Sequence, residues 1–397
     1  MKSTSYRWIP ERKKYFLLNT ISKIFPDLPL PSNISYHWNF GSLLGLCLII
    51  QLITGILLAM HYCPEINNSF NTIAHTIRNV SWGHITRNLH ANGASIFFLC
   101  VYLHISRNIY HNTWKNKTTW TLGITIYLLM IITAFMGYVL PWGQMSFWAA
   151  TVITNLFSAI PYIGNTIVLW IWGSFSISNA TLNRFYSLHY LLPFILTTLI
   201  GMHILALQEE NHSNPTGTQS EVDSLPFHQY YTTKDSQTII LTTIIIAMII
   251  THIPNIFTDP ENFIKANPLI TPTHIQPEWY LLFAYAILRS IPNKLGGVLA
   301  LTSSIAVLYL IILIKQQNIK TNNNRPNFKL TTWTLGIVFI ILTWAGSVPA
   351  EEPYTNLSLG ITAWYFTTFI ILLPTHTAKE KTNMYNYTHQ KTSVLNV

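Results

Sequence analysis

Eight long apolar segments separated by polar loops constrain the fold of this chain more than any other feature. Each is long enough for a helix that crosses the apolar core of a bilayer, which needs about 20 residues. Half of the 397 residues are apolar and only 9% are charged, whereas soluble domains carry about 25% charged residues. The pattern predicts an all-α, polytopic membrane protein with eight transmembrane helices. The predicted spans are residues 40–61, 84–109, 121–141, 182–207, 236–254, 295–315, 330–348 and 357–374.

The basic residues are distributed unevenly between the two sets of loops. Eight spans put both termini on one side, and seventeen of the 23 lysines and arginines belong to that side, against six on the opposite side. The positive-inside rule therefore places both termini in the cytoplasm or the mitochondrial matrix. Because these residues lie in membrane loops and not on a folded soluble surface, the net charge of +9 does not indicate a nucleic-acid partner.

Two pairs of histidines with the same spacing lie inside predicted spans. His90 and His104 are fourteen residues apart in the second span, and His189 and His203 are fourteen residues apart in the fourth. Fourteen residues make about 3.9 helical turns and rise about 21 Å, so each pair occupies nearly one face of its helix. Facing helices would pair His90 with His189 and His104 with His203. This arrangement predicts two non-covalent b-type haems, stacked within a four-helix bundle of the first four spans.

Glycines repeat this interval on the two neighbouring spans. Gly41 and Gly55 are fourteen residues apart on the first span, as are Gly123 and Gly137 on the third. Glycine lets another group approach the helix backbone closely, so these positions leave room for a flat macrocycle at two levels. Glycines also serve ordinary helix packing, and a single intramembrane histidine is as often a packing residue. The equal intervals on four helices favour the haem interpretation.

Two arginines of the second span each lie three residues from a histidine, at opposite ends of the span. They are Arg87 and Arg107. Haem propionates are anionic and bind well to such charges. Interfacial arginines also extend toward water without any ligand, and for Arg107 the two interpretations are equally well supported.

Four sequence motifs carry a family resemblance. Residues 89–94 read LHANGA, 137–148 read GYVLPWGQMSFW, 277–280 read PEWY and 286–294 read AILRSIPNK. Over roughly residues 28–375 the chain closely resembles the mitochondrial cytochrome b family, the haem- and quinone-bearing subunits of ubiquinol–cytochrome c reductase (complex III). The fourteen-residue interval in the fourth span is typical of the respiratory type. In the plastid type this interval is one residue longer and the protein is divided into two chains.

The resemblance implies a catalytic subunit that is active only within its complex. Such a subunit oxidises ubiquinol on the positive side of the membrane, passes one electron through two haems and reduces quinone on the negative side, which contributes to proton translocation. The implied partners are a Rieske iron–sulfur protein, a membrane-anchored c-type cytochrome, accessory subunits and the lipid bilayer. The implied setting is a homodimeric complex in the mitochondrial inner membrane, with both termini in the matrix.

The resemblance assigns quinol oxidation to residues 277–280. Glu278 follows Pro277 and precedes two aromatic residues, Trp279 and Tyr280, so we expect it to be partly desolvated. Desolvation raises the pKa of a carboxyl group and makes it a usable proton acceptor near neutral pH. Taken alone, this tetrapeptide is also typical of an interfacial aromatic belt with a solvated acid. The resemblance implies two further residues that line the pocket, Tyr138 and Tyr285.

A second quinone site is implied on the terminus side, beside the lower haem. Ser42, Lys234 and Asp235 match positions that family members use around bound quinone, although the last two are also typical of a solvated helix start. Gln208 stands where relatives commonly carry a histidine. Because glutamine does not titrate near neutrality, proton delivery would depend on Asp235, on water or on His212.

The chain is expected to divide into four regions. These are a matrix-side N-terminal arm (1–38), the di-haem bundle of spans 1–4 (39–220), a C-terminal quinol-site region of spans 5–8 (221–375) and a polar tail (376–397). The arm is basic and aromatic, which is typical of an interfacial segment. A docking surface for partner subunits is the alternative.

Three other classes of protein fit the sequence less well. A ferric reductase or NADPH oxidase also stacks two haems, but it needs a nucleotide-binding domain, and no GxGxxG motif is present. A transporter uses intramembrane histidines but does not require matched histidine and glycine intervals. A membrane anchor does not need mid-membrane ligands, which are costly to bury. The three cysteines form no CxxC or CxxCH pattern, which argues against a covalent haem, a zinc cluster or an iron–sulfur centre.

Overall fold

The computed structural model describes residues 10–209, 212–217, 223–314 and 325–379. Within these ranges, eight helices are long and apolar enough to cross a membrane, which confirms the predicted all-α class and all eight spans. The spans, numbered one to eight in chain order, are Tyr36–Ala59, Gly83–Tyr110, Lys117–Val139, Asn179–Glu209, Phe227–His252, Lys294–Leu313, Pro326–Ser347 and Tyr354–Lys379.

Several spans extend beyond the apolar segments that predicted them. The fifth begins at Phe227, well before the predicted start at residue 236, and the eighth continues to Lys379, past the predicted end of the C-terminal region at residue 375. A helix can continue into the polar headgroup region because its backbone groups bond to one another whatever the side chains are. Hydropathy identifies only the part of each helix that lies inside the hydrocarbon core of the bilayer. Residues 380–397 of the predicted tail lie outside the described residues.

Four spans are not α-helical throughout, and in the fifth the exception is His228, near its start, with φ −90° and ψ 130°. The first begins with a 3-10 turn at Tyr36–Asn39 and continues as the α-helix Phe40–Ala59. The sixth is α-helical over Lys294–Leu310 and ends in a 3-10 turn, and the eighth has a π-helical turn at Thr368–Leu372. Such turns occur at helix ends and at sites of local irregularity.

Shorter elements fill the arm and the loops. The α-helices outside the spans are Glu11–Lys14, Phe16–Ile24, Ser69–Asn79, Gln144–Asn155, Gly164–Trp172 and Leu282–Ser290. The 3-10 turns outside the spans are Leu156–Ala159, Pro260–Phe263 and Trp279–Leu281. The strands Pro29–Pro31 and Ser224–Pro226 pair antiparallel and tie the arm to the start of the fifth span. The two long loops on the side opposite the termini, residues 140–178 and 253–293, therefore both contain helices.

The first four spans pack as two pairs. The first lies along the second and the third along the fourth, while the helix Leu282–Ser290 is surrounded by spans six, seven and eight. One apolar core joins these parts, with fully buried side chains such as Phe98, Ile287, Phe328 and Leu342. Burial of this kind holds the loop that carries Glu278 against the second span.

Candidate haem and quinone sites

Two histidine pairs face each other between the second and fourth spans. The ring centres of His90 and His189 are 6.2 Å apart, and those of His104 and His203 are 6.5 Å apart. A metal–imidazole bond is about 2.0–2.1 Å long and a ring centre lies about 1.2 Å behind its nitrogen, so trans imidazoles on one metal have centres about 6.4 Å apart. Both pairs therefore fit a bis-histidine haem iron, as the fourteen-residue spacing predicted.

The upper pair presents Nε2 toward the space between the rings. Thr54 Oγ1 donates to the Ile50 carbonyl at 2.6 Å, so it accepts the bond of 2.8 Å that His90 Nδ1 makes with it. His189 Nδ1 lies 2.8 Å from the Thr133 carbonyl, which can only accept. With a proton fixed on each Nδ1, each Nε2 keeps the lone pair that a metal requires.

The lower pair has a different set of neighbours. Thr119, fourteen residues before Thr133, brings its backbone to the His203 ring, but no hydrogen bond of regular geometry forms there. Arg107 NH2 lies 3.5 Å from His104 Nδ1, and its guanidinium stands 5.1 Å from the ring centre of Trp38. Arg107 is therefore beside the lower pair, where an anionic propionate would need it.

Three of the four predicted glycines lie against histidine rings. A Cβ atom at Gly137 would stand 2.4 Å from His189 Cε1, and one at Gly55 would stand 3.1 Å from His90 Cε1. At Gly123 the distance to His203 Cε1 would be 3.2 Å. A Cβ at Gly41 would meet no atom within 4 Å, so its predicted role in the lower cradle rests on the spacing alone.

One cavity of about 260 Å³ joins the upper histidine pair to the quinol motif. Among its lining residues are His90, His189, Gly55, Gly137, Arg87, Tyr138, Glu278 and Tyr280. The two other predicted residues of this site with described contacts point elsewhere. Tyr285 donates to the Ile275 carbonyl at 2.9 Å, and Trp279 Nε1 donates to Ser95 Oγ at 3.2 Å. Pro277 is not among the lining residues either.

Burial and neighbouring charges bring the pKa of Glu278 close to neutral pH. Burial raises the pKa of Glu278 to about 8, the carboxylate of Asp259 adds to the increase, and Arg87 opposes it. Burial also raises the pKa of Tyr280 well above its ordinary value, so that hydroxyl keeps its proton. The sequence predicted the shift in the pKa of Glu278 but not the contribution of Asp259, since the eighteen residues between the two acids conceal their proximity.

The predicted lower quinone residues form two groups. Ser42 interacts with the Asp235 carboxyl group, while its hydroxyl also donates to the Asn39 carbonyl at 2.8 Å. Lys234 Nζ donates to the Ile34 carbonyl, and Gln208 Nε2 donates to the Ile24 carbonyl at 3.0 Å. Thus Ser42 and Asp235 come together, whereas Lys234 and Gln208 bind the backbone of the N-terminal arm. Burial lowers the pKa of His212, so this residue is neutral at pH 7.

Comparison with known proteins agrees with this geometry. Residues 25–211 match the family model "Cytochrome b/b6/petB", and residues 265–366 match "Cytochrome b(C-terminal)/b6/petD". A solved structure, "Hyperthermophilic respiratory Complex III", is similar with a TM-score of 0.87 and 31% identity, covering 93% of this chain and 98% of that one. This chain belongs to the cytochrome b family. Membership in the cytochrome b family implies haem binding, and the two histidine pairs have a geometry suited to it.

Residues that sequence reasoning missed support these ligands from neighbouring helices. Thr54 precedes the predicted Gly55, and Thr133 lies one helical turn before Gly137. A threonine within one helical turn of a cradle glycine was the signal that could have identified them.

Proposed function

We propose that this chain is the core redox subunit of a respiratory ubiquinol–cytochrome c reductase. The observation that carries the proposal is the shared cavity, in which a bis-histidine pair and a buried carboxyl group line the same space. An electron acceptor and a proton acceptor beside one substrate are what oxidation of a quinol requires.

Two b-type haems would be held by His90 with His189 and by His104 with His203. Bound there, they would supply reversible one-electron chemistry at two depths of the membrane. Thr54 and the Thr133 carbonyl orient the upper ligands through Nδ1. Arg87 and Arg107 lie at the two ends of the second span and would neutralise propionates.

At the upper site the chain removes a proton from ubiquinol. Glu278 is buried and has a pKa raised to about 8, so it exchanges protons readily near neutrality. Tyr138 and Tyr280 line the same cavity and limit the access of water. Tyr285 and Pro277 would shape the loop around the site without contacting this cavity.

At the lower site we propose that quinone is reduced between the first and fifth spans. Asp235, with Ser42 beside it, would deliver protons. Lys234 and Gln208 would form the wall of the site by holding the arm, since both donate to arm carbonyls. Opposite faces for quinol oxidation and quinone reduction would make electron transfer contribute to proton translocation.

The setting of this function is also a proposal. The similarity to a chain of a respiratory complex III supports partner subunits, which we propose to be a Rieske iron–sulfur protein, a membrane-anchored c-type cytochrome and accessory subunits. We further propose a homodimeric complex in the mitochondrial inner membrane, with both termini in the matrix. The excess of basic residues on the terminus side supports this orientation.

A reduced-minus-oxidised spectrum of the complex, with a redox titration and a haem count per chain, tests the haem assignment. We expect two non-covalent b haems that titrate at separate potentials. His104→Leu should remove one of them, whereas His252→Leu, at an exposed position at the end of the fifth span, should remove none. One haem in the unaltered chain, or two in His104→Leu, would refute the pairing.

A further inference from the structure

The second span has a second working face, and two of its residues, Ser95 and Phe98, also line the cavity beside His90 and His189. Asn92, Ser95, Phe98 and Tyr102 follow one another at intervals of three, three and four residues. At about 100° per residue these positions form one stripe, roughly opposite the stripe that carries His90 and His104. A helix with two such faces can hold two sites in a fixed relation to each other.

This second face binds the positive-side loop that carries Glu278. Asn92 Nδ2 donates to the Pro254 carbonyl at 2.9 Å, where the fifth span has just ended. Ser95 Oγ accepts a bond of 3.2 Å from Trp279 Nε1, and Tyr102 OH donates to the Tyr280 carbonyl. The two residues that follow Glu278 are therefore each tied to the second span by one hydrogen bond.

Aromatic packing keeps these bonds in place. The rings of Phe98 and Tyr280 stack with centres 4.0 Å apart and planes only 2° from parallel. Tyr102 OH accepts from Tyr127 OH at 3.3 Å, and its ring lies 4.9 Å from that of Phe339. Because Ser95 and Phe98 are only 2% exposed, water does not compete for these contacts.

We propose that Ser95 and Tyr102 are positioning residues that fix Glu278 relative to the upper histidine pair. The inference rests on the proposed function, because it assigns these two residues a task in quinol oxidation. Ser95 also lines the cavity, whereas Tyr102 is not among its lining residues, and the proposed role requires neither to touch quinol. Ser95 tethers the side chain of Trp279, and Tyr102 tethers the backbone of Tyr280. These two tethers keep the carboxyl group of Glu278 in one position at the cavity.

The position of Glu278 determines which charged groups surround it as well as its distance from the substrate. The groups that face it are Arg87 on the second span, Asp259 in the loop after the fifth, Tyr138 on the third and Tyr280 beside it in the chain. A loop that moves by a fraction of an ångström alters the balance between Arg87 and Asp259. Loss of a tether should therefore change the pH dependence of quinol oxidation as well as its rate.

The test is Tyr102→Phe in the complete complex, with Tyr365→Phe as the matched control. Both substitutions remove one buried hydroxyl that donates to a carbonyl, but Tyr365 bonds to Ser304 within the sixth span. We expect kcat for quinol oxidation to fall about three- to tenfold in Tyr102→Phe, as one lost neutral hydrogen bond would cause. The midpoint of the pH profile should also move, while the haem count and both haem spectra stay unchanged.

Ser95→Ala supplies an independent measurement on the other tether. It should reproduce the displaced pH profile with a smaller loss of rate, since the stacked ring of Tyr280 still holds the loop. An unchanged rate and pH profile in both Tyr102→Phe and Ser95→Ala would overturn the inference. A loss of rate equal to that in Tyr365→Phe would also overturn the inference, because such a loss would reflect general destabilisation of the protein.

Glu278→Gln separates failure of this inference from failure of the proposed function. If Glu278→Gln slows quinol oxidation and the tether variants do not, the acid is used but is not positioned by the second span. If Glu278→Gln is fully active, the proposed role of the acid is wrong, and a displaced pH profile in Tyr102→Phe could not then be attributed to Glu278.

Discussion

At the scale of single residues, the protonation of Glu278 governs the proposed chemistry. Its pKa of about 8 reflects burial first and the nearby Asp259 second. The base form increases as pH rises through this value. Quinol oxidation should therefore accelerate from pH 6 to about pH 8 and level off above it. Initial rates across this range, measured with the redox potential of the acceptor held constant, would show the expected increase.

Glu278→Gln should abolish that increase. Glutamine keeps the size of the side chain and its hydrogen bonding but cannot accept a proton, so the rate should fall about 10²- to 10⁴-fold and lose its dependence on pH below 8. The haems should stay bound. Glu351→Gln, an exposed acid in another loop of the same face, is the matched control. Full activity of Glu278→Gln would remove the acid from the proton path.

Gly137 is the residue at which the smallest change should have the largest effect on cofactor binding. A Cβ there would stand 2.4 Å from His189 Cε1, closer than real atoms approach. The ring or the third span must move, at a cost of about 1–3 kcal/mol for such overpacking. Gly137→Ala should therefore lower the content or shift the spectrum of the upper haem. Gly336→Ala, where a Cβ meets nothing within 4 Å, should leave both haems unaltered. Two normal haems in Gly137→Ala would contradict the cradle assignment.

At the scale of elements, one carboxylate, that of Asp27, links the two short helices of the N-terminal arm, Glu11–Lys14 and Phe16–Ile24. Arg12 NH2 lies 3.0 Å and Lys13 Nζ 3.2 Å from the two oxygens of Asp27, and Ser22 Oγ donates to the same group at 2.5 Å. The Ser22 hydroxyl and the guanidinium of Arg12 hold the pKa of Asp27 well below its ordinary value of 3.8. The contribution of Asp27 to the stability of the folded arm is therefore complete above pH 3.8. It is lost as pH falls through the lower pKa that Asp27 has in the folded arm.

Asp27→Asn should loosen the arm at neutral pH. The amide keeps its shape but loses the charge that binds two cations, so amide hydrogens of the helix Phe16–Ile24 should exchange faster by about tenfold. Glu11→Gln, which removes only the exposed pair with Lys14 on the same arm, should change exchange little. Equal exchange in the two variants would mean that the strand pair, rather than Asp27, secures the arm.

At the scale of the whole molecule, sequence and structure agree where the signal is periodic. Apolar length predicted eight spans, and the interval of fourteen predicted that His90 would face His189. The same interval on the glycines predicted close approach at Gly137, where the structure places the His189 ring. Contacts between distant segments have no such period. The partners of Gln208 and Lys234 in the arm, the proximity of Asp259 to Glu278 and the tethers on the second span depend on how loops fold back. Hydropathy and spacing do not contain that information.

The loops assemble in a way that agrees with a topology of eight spans. On the side opposite the termini, Gln144 N donates to the Ile264 carbonyl at 2.9 Å, and Asn183 Nδ2 donates to the Pro64 carbonyl at 3.0 Å. On the terminus side, Phe227 N donates to the Leu28 carbonyl at 2.9 Å. Each bond joins segments that an eight-span topology assigns to one face.

Labelling with a membrane-impermeant maleimide would test this topology directly. Tyr162 is fully exposed in the loop between the third and fourth spans, and Lys23 is exposed in the arm. Tyr162→Cys should react only from the positive side of sealed vesicles, and Lys23→Cys only from the negative side. Background labelling should be low because Cys47 and Cys100 are buried, and Cys63→Ser removes the remaining thiol. The structure places three spans between residues 23 and 162, so the two variants should lie on opposite sides of the membrane. Reaction of both from one side would mean that an even number of spans separates them. The two proposed quinone sites would then no longer lie on the opposite faces that net proton transfer requires.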